Sequence, residues 1–74
     1  MMTWEYRIVH RVIDGEDMFG IHEYFPSVRE PVGVGSITEE PVYPTAESVE
    51  DLLDQYTAMV TEAFHKPILE WDDF

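Results

Sequence analysis

Across 74 residues the apolar pattern changes period once, from two to about 3.6, which commits the chain to a sheet followed by a helix. Residues 4–13 (Trp-Glu-Tyr-Arg-Ile-Val-His-Arg-Val-Ile) alternate as a half-buried strand does. Trp4, Tyr6, Ile8 and Val12 share one face, and Glu5, Arg7 and Arg11 share the other. Asp14-Gly15-Glu16-Asp17 follows, and Asp-Gly between two alternating runs is a strong hairpin signal. Residues 18–25 supply the second strand. A pairing of Ile13 with Met18 sets Val12 opposite Phe19, His10 opposite Ile21, Ile8 opposite Glu23 and Tyr6 opposite Phe25. It gathers Trp4, Tyr6, Ile8, Val12, Phe19, Ile21 and Phe25 on one side, as a sheet with a single buried face requires. The other side carries Arg7, Val9, Arg11, His22 and Tyr24, a mixture suited to solvent or to an interface.

Pro26 to Gly33, with two prolines, reads as a broad exposed loop, and Val34 to Glu39 as a third strand weakened by its glycines. Pro41, Pro44 and Thr45 then end sheet pairing. Ser48 with Asp51 three residues on matches a helix-capping pair. Val49, Leu52, Leu53, Tyr56, Met59, Val60, Ala63 and Phe64 follow the helical repeat through four turns. His65 and Lys66 suit the negative end of that helix and Pro67 ends it. Ile68, Leu69 and Trp71 form a short extended segment, able to add a fourth strand or cover an edge. The expected fold is a single α+β domain over residues 1–74: an antiparallel three-stranded meander, with room for a fourth C-terminal strand, and one amphipathic helix packed on one face.

Size and composition narrow the rest. Ten aromatic residues and 45% apolar content are too rich for a disordered acidic tail. A chain below roughly 80 residues has a core worth only a few kcal/mol, and this one has no cysteine to staple it. Self-association into a homodimer, or docking on a partner, is the expected remaining source of stability. No apolar run is long enough to span a membrane. The start, Met1-Met2-Thr3-Trp4-Glu5, lacks the basic and apolar regions of a secretory signal, so a cytoplasmic protein is expected.

Charge is distributed unevenly. Residues 1–37 hold six acids and three arginines, a net −3, while residues 38–74 hold ten acids and Lys66, a net −9. The total of −12 exceeds the magnitude of about 2–8 that solubility asks of a small domain. Such a field repels nucleic-acid and membrane phosphates and attracts cationic protein surfaces.

No catalytic or cofactor motif accompanies it. His10 and His22 lie on neighbouring strands but on opposite faces, so they do not converge on one metal ion. His65 is accounted for by the helix end. The acidic pairs Glu39-Glu40, Glu50-Asp51 and Asp72-Asp73 read as solvated charge, and Asp14-Gly15-Glu16-Asp17 lacks the spacing of a calcium loop. Glu23 is the exception, aimed inward opposite Ile8. Glu47, Glu50, Asp51 and Asp54, with Glu62 further along, form a row of anions on a rigid helix. That row is either a solvated face, the commoner case, or the contact site for a partner's Arg/Lys groove, and the scarcity of compensating cations is what argues for the partner. No catalytic residue, metal ligand or cofactor is expected.

The stretches Trp4-Glu5-Tyr6-Arg7, Gly20-Ile21-His22-Glu23-Tyr24, Thr38-Glu39-Glu40-Pro41-Val42 and Lys66-Pro67-Ile68-Leu69-Glu70 together resemble a family of small uncharacterised bacterial or phage proteins. That resemblance implies a fold and an origin rather than an activity. Glu47-Ser48-Val49-Glu50-Asp51-Leu52 after a β-meander is similar to the strand-to-helix passage of HicB-type antitoxins, whose core is ββαβ-like. The expected function is that of a non-enzymatic acidic interaction protein, an inhibitor or DNA-mimic-like anti-defence factor, docking on a basic nucleic-acid-handling protein without binding nucleic acid or membrane itself. The alternatives are an antitoxin-like module covering a small basic toxin, and a small-ligand domain at a dimer interface with a pocket of His10, Glu23 and aromatic residues.

Overall fold

A computed structural model describes residues 4–26 and 35–74. Its elements run β1 (Glu5–Ile13), β2 (Glu16–Phe25), β3 (Ser36–Ile37), α1 (Val49–Phe64) and β4 (Leu69–Glu70), then one 3₁₀ turn at Trp71–Asp73. The sheet order is β3-β2-β1-β4; β2 is antiparallel to both β1 and β3, and β4 pairs parallel to β1 through Val9–Leu69 and His10–Glu70. The α+β architecture with a fourth, C-terminal strand is therefore observed. The expected loop at Pro26–Gly33 lies, except for Pro26, outside the described residues, and so does Val34 of the expected third strand.

The hairpin is tighter than the expected pairing. Asp14 and Gly15 both have positive φ, 52° and 80°, the signature of a two-residue turn whose twist matches the strands. Ile13 consequently pairs with Glu16, not Met18, and every partner slides by two residues: Val12 opposes Asp17, His10 opposes Phe19, Ile8 opposes Ile21 and Tyr6 opposes Glu23. Because side chains alternate with a period of two, this slide changes every partner yet leaves each residue on its expected face.

The faces are used differently from expectation. Arg7, Val9 and His22, on the mixed face, are all buried. The C-terminal segment covers them: Trp71 stacks on the Arg11 guanidinium at 3.9 Å and meets His22 edge-on at 6.1 Å, and Phe74 meets Tyr24 at 5.9 Å. Pro41 closes down on Gly20, where an added Cβ would lie 3.1 Å from the proline ring. The apolar face is only partly covered. Ile8 and Ile21 face a shallow hollow shared with Phe64 and Ile68, while Trp4, Val12 and Phe19 stay exposed.

The helix begins where the capping pair placed it. The Ser48 hydroxyl accepts from the Asp51 amide at 3.1 Å, and His65 follows the last turn. α1 lies against β1, anchored by an unusual bond in which the Tyr6 amide donates to Glu62 Oε1 at 2.6 Å. Along the helix the apolar stripe is split lengthwise. Met59 and Ala63 are buried and Leu52 is half-buried, but Val49, Leu53, Tyr56, Val60 and Phe64 face outward.

Candidate functional site: the acidic start of the helix

Ser48 caps α1 and thereby fixes where the neighbouring carboxylates stand. Glu47 precedes the cap, Glu50 and Asp51 occupy the first turn and Asp54 the second; all four are exposed. Glu47, Asp51 and Asp54 line one shallow hollow with Thr45, Ala46 and Gln55. The first turn concentrates positive partial charge from unbonded amides, which stabilises acids there. Among the described residues no cation pairs with any of the four.

The described cations are engaged elsewhere. Glu5 takes two of them, receiving Arg7 Nη1 at 3.0 Å and Lys66 Nζ at 2.8 Å on its two oxygens. Burial works to raise the Glu5 carboxyl, but hydrogen bonds and charge from Lys66 and Arg7 outweigh it and hold it below the usual carboxylate value. Arg7 Nη2 also donates to the Pro67 carbonyl at 2.7 Å, while its buried Nε has no partner. Arg11 is stacked on Trp71.

Glu62 stands apart from the other four expected partner-binding residues. It is half-buried, and its carboxylate is occupied by the Tyr6 amide at the open edge of β1. Burial, with the charges of Glu23 and Glu62 added, pushes the Tyr6 phenol above its ordinary value. Glu23 sits opposite Tyr6 rather than Ile8.

His10 and His22 occupy opposite faces, as their positions required. His22 donates from Nδ1 to the Thr38 carbonyl at 2.8 Å and so ties β2 to the segment after β3. His10 has carboxylates at both ring nitrogens: Asp17 at 2.7 Å from Nε2 and Glu70 at 2.7 Å from Nδ1. The two nitrogens point apart, and among the described residues no cluster of three or more His, Asp or Glu side chains is placed to hold a metal ion. Hydrogen bonding first to Glu70 and then to Asp17 raises His10 above the ordinary histidine value. Neither His10 nor Glu23 lines the apolar hollow, whose walls are Ile8, Phe19, Gly20, Ile21, Phe64 and Ile68.

Two features escaped the sequence reading. The His10 bridge depends on a two-residue turn and on β4 lying parallel to β1, a pairing that no local motif announces. The exposed half of the helix stripe had a signal: eight apolar positions that cover an arc of roughly 140° at 3.6 residues per turn, wider than contact with one sheet needs. Among the described residues no helix is long and apolar enough to cross a membrane. Comparison with protein-family models, with curated proteins and with solved structures finds no match.

Proposed function

We propose that this chain is a non-enzymatic acidic interaction protein that docks on a basic protein surface through Glu47, Glu50, Asp51 and Asp54. What supports the reading is the allocation of charge. Arg7 and Lys66 are spent on Glu5 and Arg11 on Trp71, so the acids at the start of α1 stand uncompensated among the described residues. Anions spaced about 5–6 Å apart on a rigid helix suit a groove of Arg and Lys side chains, such as the nucleic-acid channel of a binding protein or nuclease. An inhibitor that occupies such a channel, in the manner of an anti-defence DNA mimic, fits this chemistry. Neutralising the first turns with Glu50→Gln, Asp51→Asn and Asp54→Asn should abolish capture of the partner from a bacterial lysate, and binding by the natural chain should weaken steeply as salt rises. A set of captured proteins unchanged by the triple variant overturns the reading.

The second reading is an antitoxin-like module that neutralises a small basic toxin. What supports it is the element order, a β-hairpin and a short third strand before the helix and a returning strand beside β1, which is compatible with the ββαβ-like core that the resemblance to HicB-type antitoxins implies. Co-expression with the product of a neighbouring short basic reading frame, scored as rescue of growth, separates the two readings.

A further inference from the structure

Val49, Leu53, Tyr56, Val60 and Phe64 form one continuous row on α1, and they stand in the open. Val49 is 83% exposed, Leu53 and Phe64 are each 65% exposed, and Phe19 beside the Phe64 end is 61% exposed. Ile68 extends the row, and Phe64 joins it to the hollow floored by Ile8 and Ile21. The fully buried apolar residues among those described are only Val9, Met59 and Ala63. A domain this small without cysteine does not normally leave so long an apolar row in water while burying an arginine and a histidine.

We propose that this row is the interface for a second copy of the chain, packed helix against helix in antiparallel orientation about a two-fold axis near Tyr56. Area supports a copy rather than a short peptide. Six large side chains on the row, each roughly half to four-fifths exposed, offer a surface of the order of the ~800 Å² per partner that a standard stable interface buries. A two-fold contact presents the same patch from both copies, and one row of apolar side chains along a helix can meet its own copy in that way.

Charge decides the orientation. A parallel pair would press the two acidic first turns together. In an antiparallel pair the 16-residue helix, about 24 Å long, separates them by more than the ~8–10 Å screening length. Glu50 and Asp54 lie about a quarter and a third of a turn from the centre of the row, roughly 80° and 120° at 3.6 residues per turn, so they rim the contact rather than enter it. The dimer therefore leaves both acidic helix starts open.

The test is the mass of the full chain in solution, measured across a dilution series and at two salt concentrations. The expected result is twice 8.7 kDa, with association strengthened by salt because two chains of charge −12 repel. Docking on a basic protein responds to salt in the opposite sense, so the two proposals fail separately. Leu53→Ser and Val60→Ser should each weaken the dimer about tenfold or more. Orientation and fold are checked together by single cysteines in this cysteine-free chain. Tyr56→Cys, near the axis, should oxidise readily to a disulfide dimer, whereas Val49→Cys should not. A folded species of 8.7 kDa at every concentration leaves the row to another protein or an apolar ligand and overturns the proposal. A dimer indifferent to both serine variants, or preferential cross-linking at Val49→Cys, also overturns it.

Discussion

His10 and Glu70 stand 60 residues apart in the chain and meet ring to carboxylate at 2.7 Å, closing the C-terminal strand onto the hairpin. Asp17, across the hairpin, takes the other ring nitrogen at the same distance. Both carboxylates accept, so the ring must donate from both nitrogens, which only the doubly protonated imidazolium does.

That requirement gives stability a definite pH dependence. His10 has its value raised in the folded protein by hydrogen bonds to Glu70 and Asp17, so the cation is favoured by folding. Its contribution is complete below the unfolded histidine value of about 6.5 and is lost as pH rises through the higher folded value. The midpoint of thermal unfolding should therefore fall as pH rises from the unfolded histidine value of about 6.5 through the higher folded value in the natural chain, and change less over that range in His10→Gln. Parallel curves for the two proteins would exclude the bridge.

The Glu5 cluster predicts an asymmetric pair of substitutions. Glu5→Gln takes the carboxylate charge away from the buried Arg7, leaving it only neutral acceptors in the amide oxygen and the Pro67 carbonyl, and should cost about 1–3 kcal/mol in urea unfolding. Arg7→Met removes a buried charge whose Nε is already without a partner, and should cost less or be neutral. The acid side has its own sign. Because the folded carboxyl of Glu5 is depressed, its contribution is full above the unfolded glutamate value of about 4.3 and is lost as pH falls through the lower folded value. Glu5→Gln should abolish that part of the acid sensitivity.

How far the fold was legible depends on the range of the interactions that set it. The hairpin, the helix from Ser48 to His65 and the short last strand rest on local chemistry: Asp-Gly at positive φ, a serine three residues before Asp51, and Pro67 after the final turn. The exact register is local as well: Asp14-Gly15 alone makes the turn, and counting four residues in it displaces every expected partner by two. Which sheet face would be buried was not legible at all from alternation, because the mixed face is covered by Trp71 and Phe74, whose placement depends on β4 reaching β1. At the acidic site the exposure of Glu47, Glu50, Asp51 and Asp54 followed from helical spacing, whereas the attachment of Glu62 to the Tyr6 amide needed the helix docked against the sheet edge.

Gly15 has open space where a Cβ would go, so its requirement is purely conformational. Gly15→Ala should destabilise the protein by about 1 kcal/mol through its φ of 80°, with no change in the packing of the sheet. A loss several times larger would mean that the turn carries contacts beyond its backbone. Ser48→Ala should cost a similar ~1 kcal/mol, read as fraying of the first helical turn in amide exchange at Asp51.

Met59 and Leu53 give the sharpest test of how the helix stripe is divided. They are six positions apart on the same helix and of similar volume, but Met59 is buried against the sheet while Leu53 stands in the open row. Met59→Ala should create a cavity and cost about 2–5 kcal/mol at any protein concentration, enough to unfold much of a small domain. Within a single folded chain, Leu53→Ala removes contacts that scarcely exist. Its cost should be small in dilute solution and should grow with concentration as the second copy covers the row. Equal losses at both positions, independent of concentration, would show that α1 buries its whole stripe within one chain.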